Sequence, residues 1–179
     1  MQQIWSHANL PIRRKLKIYN ALLVSKVMYS LDGMWLSECE LKRLDSFHCT
    51  CIRRILKVAH SYYSRISNHT VLERATVKPL SRTLTIRQLK LFGRIATMDI
   101  HHQMRKFVFD PNHVYSKASC NHPRLRGRPR ASWANDVFNI ALRVAGSNQN
   151  LRDVLNQCSS YLLPWQRAIN MYMATSDLD

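Results

Sequence analysis

The chain has 179 residues, enough for one ordinary domain or two small ones that bury a core without metal or disulfide staples. Hydrophobic residues make up 46 %, with only four Gly and six Pro, which excludes a low-complexity chain and argues against a turn-rich β-sandwich. Lys and Arg number 27 against 11 Asp and Glu, a formal net charge of +16. Self-repulsion on that scale points to a polyanionic partner: nucleic acid, an anionic membrane surface or a ribosome-like assembly.

The excess is uneven, with 17 basic and 5 acidic residues in 1–97 but 10 and 6 in 98–179. Met1–Leu31 has no acidic residue, a composition that also suits a mitochondrial transit peptide. The same segment reads as structure. A first helix is predicted from Pro11 to Tyr29, with Ile12, Leu16, Tyr19, Leu23 and Val27 on its apolar face. Arg13, Arg14 and Lys17 lie largely off that face. Pro11 suits the first turn, and Leu31-Asp32-Gly33 reads as a stop with Gly33 left-handed.

A second helix starts near Ser37, where Ser37 and Glu40 form a capping-box pattern. Leu41, Leu44, His48, Cys51, Ile52 and Ile55 line its inner face, and Arg43, Arg53, Arg54 and Lys57 decorate the rest. His60–Ser67 reads as a polar loop in which Tyr62, Tyr63 and Arg65 either stack on bases or close the polar end of a core. Ser67 or Asn68 caps a short helix carrying Val71, Leu72 and Ala75. The next helix spans Leu80–Thr97, with Leu80, Leu84, Leu91, Phe92 and Ile95 inward and a basic stripe of Arg87, Lys90 and Arg94.

Residues 98–130 read as a long irregular basic connection, because His, Pro and Asn punctuate them throughout. Beyond it, Ser132 caps a helix from Trp133 to about Ala145, ended by Gly146. A shorter helix near Leu151–Cys158 follows, and a last one from Leu163 to Ala174 carries Pro164 in its first turn. The fold expected is all-α: a basic helical bundle over 1–97, a linker over 98–130 and a smaller helical region over 131–179.

The sharpest local motif is Arg124-Leu125-Arg126-Gly127-Arg128-Pro129-Arg130. Its centre resembles an AT-hook, in which Gly lets the backbone lie deep in a narrow A·T minor groove while arginines follow the potential. The bland alternatives are simple phosphate contact or a solvated linker. The basic helix stripes are read in the same way, as phosphate-contacting shoulders or as solvated faces. Scarcity of acidic partners favours phosphate.

The five cysteines are odd in number and lack a framework spacing, so reduced thiols in an intracellular protein, nuclear or cytoplasmic, are expected. His48, Cys49, Cys51 and His60, or Cys120 with His122, match no zinc spacing; packing is the expected role of His48 and Cys51, and no metal or cofactor is expected. No phosphate loop, nucleophile elbow or Asp-Asp pair occurs, so no catalytic residue is expected. No apolar run approaches the ~18–20 residues of a membrane span.

The run from Lys17 to Tyr29 (KIYNALLVSKVMY) resembles the segment that follows the polymerase palm in non-LTR, LINE-type retrotransposon reverse transcriptases. Leu44–Leu56 (LDSFHCTCIRRIL), Ser64–Asn68 and Gln88–Arg94 continue the likeness, and Gly127–Arg130 followed by Trp133 resembles the end of many such proteins. The resemblance covers about residues 10–140. It implies the helical thumb and the tail beyond it, which grip RNA, DNA or an RNA–DNA hybrid by the backbone while an upstream palm does the chemistry. Palm and endonuclease motifs are absent from the sequence, so no catalytic role carries over. Arg13, Arg14, Lys17, Arg53 and Arg54 carry over as candidate backbone contacts. The tail cysteine–histidine knuckle of some relatives is missing, which puts target-site binding in doubt. Alternative readings are a free-standing DNA-binding protein using the hook-like segment, a structural protein of a ribosome-like or mitochondrial assembly, and a retroelement remnant without function.

Overall fold

The computed structural model describes residues 10–109, 133–147, 149–151, 153 and 162–175. Among these the protein is all-α. The helices are α1 (Ile12–Tyr19), a π-helical turn (Asn20–Val24), α2 (Ser25–Met28), α3 (Glu38–Leu56), α4 (Ser61–Ser64), α5 (Asn68–Ala75), α6 (Leu80–Ala96), α7 (Gln103–Val108), α8 (Trp133–Ala145) and α9 (Leu162–Thr175). They fall into two units. One holds residues 10–32 and 36–85; the other holds 33–35 and the described residues from 86 on.

In the first unit, α1, the π turn and α2 form one run. Pro11 caps it from outside, with the Arg14 and Lys15 N–H groups donating to its carbonyl at 2.9 and 3.2 Å. The π turn lets one extra residue into the helix. Tyr19 and Met28, nine positions apart, therefore sit as if eight apart, about 80° around the axis instead of about 180°. Both are fully buried, whereas Val27 is only half-buried and Ile12 is half exposed. The expected inward position Val27 thus passes to Met28. The stop also differs: Ser30 takes the left-handed conformation, φ 64°, and Gly33 does not.

Helix α3 begins with the expected capping box, in which Glu40 accepts the Ser37 backbone N–H at 2.7 Å and the Ser37 hydroxyl at 2.7 Å. Its buried residues are His48, Cys49, Ile52, Arg53 and Ile55, whereas Leu41, Leu44 and Cys51, also expected inside, are half-buried. Helix α5 is capped by the Ser67 hydroxyl, which accepts the Thr70 N–H at 3.1 Å. Helix α6 is capped from a distance: the Asp45 carboxylate on α3 accepts the Ser81 N–H at 2.9 Å. A negative charge at that N-terminus also suits the helix dipole. The unit has one core of Tyr19, Ile52, Ile55, Val71 and Ala75, and another of Met28, Leu80 and Leu84.

The second unit is organised by the C-terminal half of α6. Leu89, Phe92, Ile95 and Ala96 share a core with Phe109, Val137, Phe138, Ala141, Trp165 and Ile169. Leu91, expected inside, is only half-buried; Leu89 and Gln88 take the buried places, and the Gln88 side-chain amide donates to the Met34 carbonyl at 2.7 Å. Gly93 makes room for Trp165. A Cβ there would lie 2.6 Å from Cδ1 and 2.7 Å from Nε1 of the indole, whose N–H donates to the Leu89 carbonyl at 2.9 Å. Residues 86–96 therefore share a core with α8 and α9, so the compact units divide at 85/86 and not near 97.

Two segments expected to be irregular contain helical turns. His60 and His102 each accept a backbone N–H through Nδ1, from Tyr62 at 3.3 Å and from Met104 at 3.2 Å, and so cap α4 and α7. The expectation of an irregular connection throughout 98–130 is corrected over Gln103–Val108, after which Phe109 packs edge-on against Phe92. Residues 110–130, including Arg124, Arg126, Arg128 and Arg130, lie outside the described residues, as does the Ser132 cap. Helix α8 ends as expected at Gly146, φ 77°.

Candidate nucleic-acid interface

The first unit holds 14 Lys and Arg against 5 Asp and Glu over residues 10–32 and 36–85, so its surface is dominated by cations. Their placement follows from how α1 packs on α3. Leu16 and Tyr19 join Ile52 and Ile55 in one core, while Met28 joins Leu41 and Leu44 in the other. Rising numbers on the first run meet falling numbers on α3, so the two are antiparallel. The exposed Arg13, Arg14 and Lys17 near the start of α1 are thereby brought to the end of α3 that carries the exposed Arg54 and Lys57. Lys57 closes α3 in a left-handed conformation, φ 56°. Five cations expected to touch phosphate thus gather at one end of the unit. Cations in the last turn of α3 also complement its dipole, worth about 0.3–1 kcal/mol at an exposed site, which accounts for Arg54 but not for the α1 trio.

Arg53 does not belong to this set. It is only 6 % exposed and its guanidinium is used internally. Nε and Nη2 donate to the Asn68 side-chain oxygen at 3.4 and 3.1 Å. Nη1 donates to the Ala59 carbonyl at 3.1 Å and the Ser64 hydroxyl at 3.3 Å, and Nη2 also donates to the Ile66 carbonyl at 2.6 Å. The expectation that Arg53 contacts the nucleic-acid backbone is therefore corrected: the side chain latches residues 59–68 onto α3. Nothing in the local pattern separates it from Arg54, because its acceptors lie on residues 59–68.

The remaining described candidates lie in the second unit. Arg87 and Arg94 are exposed on α6 and Lys90 is half-buried. The expected stripe exists as a stripe, on a different unit from the α1 and α3 cations.

The tyrosines of α4 do not close the polar end of a core. Tyr62 and Tyr63 are 70 % and 80 % exposed, edge-to-face at 5.3 Å, with the Arg65 guanidinium 5.8 Å from the centre of the Tyr62 ring. The Arg53 latch explains why: it draws the backbone and the polar groups of this segment inward and leaves the rings outside.

His48 is buried and pairs through Nδ1 with the Tyr19 hydroxyl at 2.7 Å. Burial pushes the imidazole pKa down, against an opposing pull from Asp45 and the Lys78 backbone. Burial likewise raises the Tyr19 phenol and the Cys49 and Cys51 thiols, so these groups are neutral packing elements near pH 7. Beside them lies a cavity of about 230 Å³ lined by Asn20, Val24, His48, Val77, Lys78, Leu80 and Thr83. It is smaller than the ~300–1,000 Å³ usual for small-molecule sites. Among the described residues no three His, Cys, Asp or Glu side chains converge on a point where they could hold a metal ion, and no helix is long and apolar enough to cross a membrane. No family model, curated protein or solved structure matches the chain.

Proposed function

We propose that this chain binds nucleic acid as the thumb and tail of a LINE-type retrotransposon reverse transcriptase. In this reading it grips RNA or an RNA–DNA template–primer by its phosphates and contains no catalytic palm of its own. The observation that carries the reading is the gathering of Arg13, Arg14, Lys17, Arg54 and Lys57 at one end of the antiparallel α1–α3 pair. Cations arranged along helix surfaces meet phosphates without reading bases, so the grip is sequence-tolerant and depends on salt. The resemblance of residues 17–29 and 44–56 to the region after the palm supplies the polymerase context.

The test is fluorescence anisotropy with a labelled RNA–DNA hybrid and a variant carrying Arg13→Glu, Arg14→Glu and Lys17→Glu. The variant should lose about 100-fold or more in affinity, with its helical circular dichroism unchanged. Equal affinity of variant and parent would remove the proposed grip.

A further inference from the structure

Resting on that reading and extending it, we infer that Tyr62, Tyr63 and Arg65 form a stacking platform for unpaired bases of a single strand adjoining the phosphates held by the basic end. Four observations combine. Both rings are largely exposed although the unit has a core that could have taken them. They stand on a fixed turn: α4 is capped at its start by His60 and closed by Arg65 in the left-handed region, φ 54°. The turn is anchored from beneath by Arg53, which reaches Ala59, Ser64, Ile66 and Asn68. And α4 follows directly on the C-terminal end of α3, where Arg54 and Lys57 supply phosphate-binding charge.

The chemistry fits bases better than other polyanions. A base offers a flat π face, and aromatic rings held rigidly outside a core stack on such faces whatever the sequence. The guanidinium over Tyr62 adds a second flat, positive surface that either covers the stacked base or turns to the neighbouring phosphate. Heparin-like chains would use the same cations but offer no π face, and a membrane surface that took the rings into its headgroup layer would leave no preference between normal and abasic overhangs. Paired bases present only edges to the surface, so the platform discriminates unpaired strand from closed duplex.

The probe is an RNA–DNA hybrid in three forms: blunt, with a six-nucleotide single-stranded overhang, and with the same overhang made abasic. The full chain should bind the normal overhang about tenfold or more tighter than the abasic one, which carries the same phosphates. Tyr62→Ala with Tyr63→Ala should erase that difference and leave the blunt hybrid unaffected. Tyr62→Phe with Tyr63→Phe should keep it. A photoreactive uridine in the overhang should crosslink to residues 61–65. Equal affinity for normal and abasic overhangs, or an unchanged preference in the double-alanine variant, overturns the platform while leaving the phosphate grip standing. Failure to bind any of the three forms overturns both.

Discussion

Arg53 and Arg54 are adjacent, chemically identical and assigned opposite work, so exchanging each for a neutral residue separates fold from function. Arg53→Met keeps the stem and deletes the guanidinium, removing five hydrogen bonds to four acceptors. At about 0.5–1 kcal/mol net for each bond, the loss is about 3–5 kcal/mol, near the upper end for a single substitution. In urea, with a slope of about 1.5 kcal/mol per molar for a unit of this size, the midpoint should fall by about 2 M or more. Arg54→Ala, at an exposed position, should stay within about 0.5 kcal/mol of the parent while weakening hybrid binding and lowering its salt dependence by about one log–log unit. Urea melts followed by circular dichroism, together with anisotropy titrations, read both effects. If Arg54→Ala were the destabilised variant, α3 would be rotated by one residue from the arrangement described. If neither change mattered, the latch would not exist.

Three further substitutions or conditions probe the rest of the scaffold. Gly93→Ala gains about 1 kcal/mol of helix propensity but drives a methyl into Trp165, at a cost of about 2–5 kcal/mol in overpacking and a strained indole hydrogen bond. A net fall in melting temperature is expected, and it should shrink in a Trp165→Phe background; a rise in the parent background would contradict the close approach. Asp45→Ala should cost about 1 kcal/mol by orphaning the Ser81 N–H, and Asp45→Asn should recover most of it; equal losses for the two would argue against capping. His48 is held neutral by burial, its folded pKa depressed below the unfolded value of about 6.5. Its contribution is therefore complete above pH 6.5 and is lost as pH falls toward the folded pKa, because only the unfolded chain takes up the proton. The urea midpoint should drop between pH 7.5 and pH 5, and by less in His48→Gln; identical drops would exclude His48 as the source.

Elements with strong local signals were legible in the sequence. The Ser37–Glu40 box, the Ser67 cap and the Gly146 terminator each depend on residues within one turn, and the inward His48, Ile52 and Ile55 of α3 and Leu80, Leu84, Phe92 and Ile95 of α6 follow from helical spacing; all are found. What the sequence hid depends on distant partners. The π turn moves the buried position from Val27 to Met28 without any residue that announces it. Helices α4 and α7 are too short to show a period, and their histidine caps resemble loop residues. Leu89 outranks Leu91 because Trp165, 76 positions away, closes over that side of α6. Of the candidate site, the exposed arginines and lysines of α1 and α3 were readable from their place off the apolar stripe. Arg53 was not, since its acceptors lie on residues 59–68. The antiparallel packing that gathers the cations is likewise a tertiary fact.

The proposed grip holds a polyanion by its phosphates through exposed cations at one end of the first unit. The most direct measurement is the affinity of the full chain for a blunt RNA–DNA hybrid across a salt series. With about five phosphates neutralised, log affinity should fall against log salt with a slope of about −4 to −5, a loss of several hundred-fold between 50 and 200 mM. The slope should flatten in proportion as Arg13, Arg14, Lys17, Arg54 and Lys57 are neutralised. A slope near zero, or one indifferent to those five residues, would rule out the grip.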